Sequence, residues 1–158
     1  MTDFDIASTY QFILARCDAA TSRCKANKQA IFDALKANSI PAVAVTYSGS
    51  GDSGCIDGVD PFQLPESMTV DLSKITVAIL VRRSRLEGTD WKEDLVTETT
   101  SLNAAIEEFT YDWLQAEHPG WQNNDGADGE IVFDIKTGGA TMSHNSFYVE
   151  SETTEHTL

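Results

Sequence analysis

Cysteine is scarce in this chain, and so is positive charge. Three cysteines, Cys17, Cys24 and Cys55, stand among 158 residues. An odd number without close spacing excludes a disulfide scaffold and the paired-cysteine pattern of a structural zinc site. Cys17 and Cys24 lie seven residues apart in a helical pattern and read as small apolar side chains on one face. No uninterrupted apolar run approaches the ~20 residues of a membrane span. The opening stretch, MTDFDIASTY, has neither the basic flank nor the apolar centre of a secretory signal. These absences predict a soluble, cytoplasmic protein that does not enter membranes. Eleven basic side chains face twenty-five acidic ones, for a net charge of −14. From residue 101 onward Lys136 stands alone against eleven carboxylates. Such a field repels nucleic acid and anionic membrane, and it attracts basic protein surfaces or cations.

What is present suffices for a core. Apolar residues make up 41% of the chain, enough for one domain over residues 1–150, with a polar, flexible tail at 151–158. From Phe4 to about Leu35 the apolar positions recur in helical steps, capped by Asp3 or Asp5 and ended by KANSIP, with a break near Asn27. AVAVTY (42–47) reads as a buried strand and KITVAILV (74–81) as a second. Between them the glycines and prolines of residues 48–73 predict a long loop, of the kind that is either functional or partly disordered. A second helix is expected from Thr89 or Asp90 to Glu117, with Trp91, Leu95, Leu102, Ile106, Phe109 and Trp113 on one stripe. Residues 122–129 read as a loop, EIVFDI as a strand, Gly138 and Gly139 as a turn, and Phe147–Glu150 as the last strand. The expected class is α+β: a mainly antiparallel or mixed sheet of about four strands, with two long helices packed on one face.

Two glycine-rich segments are the candidates for chemistry: YSGSGDSGCIDG (47–58) and GWQNNDGADGE (120–130). Gly51-Asp52-Ser53-Gly54 resembles the nucleophile loop of trypsin-like serine proteases. That family needs its histidine upstream of the serine, and here His118, His144 and His156 all lie downstream. A phosphate cradle lacks its lysine and its helix, and Asp52, Asp57 and Asp60 oppose an anion. Hard cations suit the oxygen-rich set better. Asp52, Asp57, Asp125 and Asp128 are therefore the candidate ligands for calcium or magnesium, although the second segment lacks the third-position ligand and terminal glutamate of an EF-hand. For an enzyme, Asp52, Ser53 and His144 are the candidate catalytic residues, with His144 as base and Asp52 or Asp125 orienting it. The plainer alternative is that Asn, Asp and Gly here only satisfy turns.

Taken together, TYSGSGDSGCID, HPGWQNNDGADGEIVFDI and SHNSFY resemble an uncharacterised bacterial and mobile-element family. Its members show a Y/F-x-G-x-G-D-S-G motif on a strand and a G-W-x-N-x-x-G loop entering another. The matching positions are Tyr47, Gly49, Gly51, Asp52, Ser53 and Gly54, then Gly120, Trp121, Asn123 or Asn124, Asp125, Gly126, Gly129 and Asp134, with His144 and Asn145 last. The resemblance implies that the segments belong together and that the protein has a phage or plasmid accessory role; it implies no reaction. The leading expectation is an acidic interaction module that inhibits a basic nucleic-acid-handling protein without binding nucleic acid itself. Glu107, Glu108, Asp112, Glu117, Asp125, Asp128 and Glu130 would form the interacting surface. The alternative is a metal-assisted enzyme built on the two segments. Arg82, Arg83 and Arg85 would neutralise acidic groups within the chain or across a homodimer.

Overall fold

A computed structural model describes the backbone of residues 6–158 and the side chains of residues 22–158. The Asp3 or Asp5 cap and the side chain of Cys17 lie outside the described residues. The first helix, α1 (Ile6–Ala37), ends where KANSIP places it. Asn38, Ser39 and Ile40 donate back to the carbonyls of Ala34, Lys36 and Leu35, and Ser39 takes a positive φ. α1 does not break at Asn27. The polar residue interrupts the apolar stripe because its side chain, 2% exposed, binds both the N–H and the C=O of Leu80 at 2.8 Å.

Six strands follow. β1 (Ala42–Ser50), β2 (Ser53–Phe62), β5 (Ala127–Asp134) and β6 (Gly139–Ser146) form an antiparallel sheet in the order β2-β1-β5-β6. β3 (Thr76–Glu87) and β4 (Asp90–Ser101) form a separate two-stranded arm. The fold is α+β, as expected, and the last two strands are antiparallel neighbours. Among the described residues no helix is long and apolar enough to cross a membrane.

Several elements differ from the reading of the sequence. The long loop at 48–73 is largely strand: β2 pairs with β1 from Ala42–Phe62 to Ser50–Ser53, and Gly51 takes the positive φ of a two-residue hairpin turn. β2 tolerates Gly58 and Pro61 because it is an edge strand, which leaves Pro61 no ladder bond to forfeit. Residues 90–101 are strand, not helix. Trp91, Leu95 and Leu102 imitate a helical stripe, but Val96, Thr97, Thr99 and Thr100 supply β-branched side chains. The helix α2 (Leu102–Glu117) starts only where Ser101 caps it, its hydroxyl accepting from the Ala104 N–H. Phe147–Glu150 is not a strand; β6 precedes it.

Alternation along β1 separates two faces. Val43, Val45 and Tyr47 point inward with Ile131 and Phe133 of β5, and both helices cover them. Phe133 is the meeting point, with Phe32 of α1 at 5.9 Å and Phe109 of α2 at 5.4 Å between ring centres. Arg23 of α1 clamps Asp112 of α2 through two bonds of 2.8 and 2.9 Å. The base of the arm enters the same core through Ile79 and Val81. Replacing Asn27 with alanine should therefore cost about 2–3 kcal/mol in urea denaturation, because it leaves both polar groups of Leu80 buried without partners. A loss below about 0.5 kcal/mol would show that the arm is not pinned there.

Candidate functional site

The two glycine-rich segments do meet. β1 and β5 are neighbours, Gly49 pairs with Ala127, and the Gly51 N–H donates to the Asn124 carbonyl at 3.1 Å. What joins them is the indole of Trp121, buried to 8% exposure. It lies across Gly49 and Gly54, which are opposite each other on β1 and β2. A Cβ on Gly49 would approach Trp121 Cζ3 to 2.8 Å, and one on Gly54 would approach it to 2.7 Å. Just before β5, a side chain at Gly126 would strike the Gly49 carbonyl, and on β5 one at Gly129 would strike the Tyr47 hydroxyl. Gly49 and Gly54 are therefore the floor on which Trp121 sits, and Gly129 leaves room for Tyr47.

Three rings meet here: Trp121, Tyr47 and His144. Tyr47 meets Trp121 edge-on at 5.5 Å and stacks on His144 at 5.8 Å. Its hydroxyl shares a 2.8 Å hydrogen bond with His144 Nδ1. His118, which follows α2, stacks on His144 with 3.8 Å between centroids. Burial pushes the Tyr47 phenol up to about 12, with the nearby Asp128 charge adding to it. Burial, then His118, lowers His144 below the ordinary imidazole value, against a smaller opposing pull from Asp128. Both groups are neutral at pH 7. His144 Nε2 and Gln122 Oε1 are buried without a hydrogen-bond partner among the described residues.

The opposite face of the sheet is open. Two adjoining depressions of about 490 and 340 Å³ share Ser48 and Asp128. Ser53, Cys55 and Asp125 line the first; Thr46, Asp57, Glu130, Ser143 and Asn145 line the second. Asp128 accepts from Asn145 at 2.9 Å, and Asp125 accepts from the Val149 N–H at 3.0 Å. The exposed Cys55 thiol donates to Asp57, which raises its pKa.

This geometry separates the candidate catalytic residues. Ser53 lies on the open face, His144 points to the covered face with Tyr47, and Asp52 sits at the exposed hairpin turn. Neither Asp52 nor Asp125 orients His144; Tyr47 holds its Nδ1. Of the candidate cation ligands, Asp57 and Asp128 share one depression and Asp125 and Asp128 the other, while Asp52 lines neither. Among the described residues no three His, Cys, Asp or Glu side chains converge as metal ligands would.

The acidic surface is likewise divided. On α2, Asp112 is committed to Arg23 and Glu107 accepts from Asn103, while Glu108 and Glu117 are exposed. Asp128 and Glu130 face the other side of the sheet. Arg82, Arg83 and Arg85 pair within the arm with Glu93, Glu98, Glu87 and Asp94, so the basic run neutralises its own hairpin. Sequence reasoning missed Thr46, Ser48 and Ser143 on the open face and His118 in the ring stack. The alternation in VAVTYS marks the first two; nothing local marks His118.

Gly54→Ala should destabilise by about 1–3 kcal/mol through overpacking against Trp121, and by much less when Trp121 is also changed to leucine. Equal losses in both backgrounds would show that the indole does not set the requirement. A pH effect should accompany His144. With its folded-state pKa below the ordinary imidazole value of 6.5, the unfolded chain takes up the proton first as pH falls. The contribution is absent well above pH 6.5, and stability declines below it until the folded-state value is reached. Urea midpoints at pH 7.5 and 5 should therefore fall further for the native chain than for His144→Gln; parallel changes would contradict the assignment.

No curated protein and no solved structure matches the chain. A family model covering residues 24–158 does match, which bears out the resemblance to an uncharacterised family, and the chain belongs to that family of unknown function, DUF6878.

Proposed function

We propose that the chain is an acidic protein-interaction module whose working surface is the open face of the four-stranded sheet. The observation that supports this reading is a difference in how charges are paired. In the arm, Arg82, Arg83, Arg85 and Lys92 all form ion pairs with neighbouring carboxylates. On the open face Asp57, Asp60, Asp128 and Glu130 have no cationic partner among the described residues. Short side chains lie between them, namely Thr46, Ser48 and Ser143. A shallow, unneutralised acidic surface favours a basic protein and steers its approach. In its sharpest form the partner is a basic nucleic-acid-handling protein and the chain is a phage- or plasmid-encoded inhibitor, with carboxylates occupying the place of phosphates.

The test is capture on the tagged protein from its own host, followed by identification of what 0.5 M salt releases (roughly a threefold shorter screening length than at 0.05 M). A basic protein should be retained by the native chain and by a Glu108→Gln/Glu117→Gln variant, and lost from Asp60→Asn/Asp128→Asn/Glu130→Gln. Retention by the open-face variant would refute the surface. A second reading, a metal-assisted enzyme using calcium or magnesium, draws support from the depression that Ser53, Asp125 and Asp128 share. Stoichiometric binding of either ion in calorimetry, abolished by Asp128→Asn with folding intact, would favour it over the first.

A further inference from the structure

Among the described residues one edge of β4 carries no paired strand; β3 holds the other. The phase of the ladder determines which groups line the unpaired edge. Asn27 takes both the N–H and the C=O of Leu80, so these point away from β4, and Leu80–Thr97 is a non-hydrogen-bonded pair. The ladder has no register shift from Thr76–Ser101 to Glu87–Asp90. The backbone groups of Thr97, Leu95 and Trp91 therefore point outward, away from β3. A twelve-residue strand with such an edge is a template for strand addition.

β4 is complementary to itself along this edge. Outward groups can bond between antiparallel copies only when the two-fold axis passes through a residue position. With the axis at Leu95, Lys92 faces Glu98 of the second copy, Trp91 faces Thr99, Asp94 faces Val96, and no like charges are opposed. An axis at Asp94 opposes that carboxylate to its own copy, and one at Val96 opposes Asp94 to Glu98. An axis at Glu93 sets Glu93 against itself, and one at Thr97 loses both ion pairs.

The distribution of charge selects the same place. Residues 76–101 carry four basic and five acidic side chains, so the arm is nearly neutral within a chain of net charge −14. Two copies repel one another elsewhere and meet here without that penalty. The arm also holds exposed apolar side chains on one face, with Trp91 at 72% and Leu95 at 58% exposure. A continuous sheet would bring the two Trp91–Leu95 patches onto one surface.

We propose that two copies of this chain join through β4, centred on Leu95, into a four-stranded antiparallel sheet ordered β3-β4-β4-β3. The joint leaves both open acidic faces free and does not depend on their role. Sedimentation of the full chain should show a species of twice 17.3 kDa that dissociates on dilution. Lys92→Glu alone and Glu98→Lys alone should each weaken the dimer by about tenfold or more, since each homodimer opposes like charges twice. An equimolar mixture of the two variants should restore it, because both cross-pairs are then complementary. Each variant's internal pairs, Lys92 with Glu87 and Glu98 with Arg83, are equally disturbed alone and in the mixture, so folding cannot account for the rescue. In the unaltered chain the Leu95 and Thr97 amides should exchange more slowly as concentration rises. A monomer at every concentration, a mixture no better than its components, or exchange indifferent to concentration would each overturn the proposal.

Discussion

One indole ring sets the geometry of this molecule. Trp121 can lie across β1 and β2 only because Gly49 and Gly54 present no side chains there. Once seated, it supports the edge of Tyr47, which reaches over Gly129 to His144. The chain after α2 is thereby returned to the sheet at a fixed height, and β5 enters between β1 and β6. A buried aromatic ring contributes a large apolar area as well as its edge-on contact. A notch of two glycines is a cheap way to admit it, since the flexibility of glycine costs only about 1 kcal/mol per residue. Within the motif that looks most like a catalytic loop, Gly49 and Gly54 are thus a packing surface for Trp121.

That arrangement divides the molecule by face. The inward side holds the rings, the helices and the Arg23–Asp112 clamp; the outward side holds short polar side chains and carboxylates without counter-charges among the described residues. The arm is a third region, in which charges are balanced along the ladder and a tryptophan is left exposed. Net charge alone does not reveal this partition. A single value of −14 averages an unneutralised sheet face with an arm close to neutrality.

Much of the fold was legible in the sequence because apolar periodicity reports burial directly. α1, β1, the core of β5 and the α+β class follow from it. It failed where burial is slight. None of residues 90–101 is buried, so their apolar positions carry no information about a core, and chance spacing of Trp91, Leu95 and Leu102 extended the helix backward. β2 was hidden by glycines and a proline that only an edge strand accepts. The pairing of the two glycine-rich segments was legible from their motifs, but its purpose was not. Gly54 is required by a residue sixty-seven positions away, and no local pattern records which side chain crosses a glycine. His144 was visible as a titratable group; its partner Tyr47 was read as a strand residue and a motif position, and nothing local marked it as the group that His144 bonds.

The most direct measurement is a scan of all substitutions across residues 47–60 and 118–130, read by the abundance of folded protein. If these segments are a packing device, Tyr47, Gly49, Gly54, Trp121, Gly126 and Gly129 will tolerate almost nothing, while Asp52, Ser53, Asp57, Asp60 and Glu130 will accept most residues. Alanine accepted freely at Gly49, Gly54 and Gly129 would contradict the account and return the motif to chemistry.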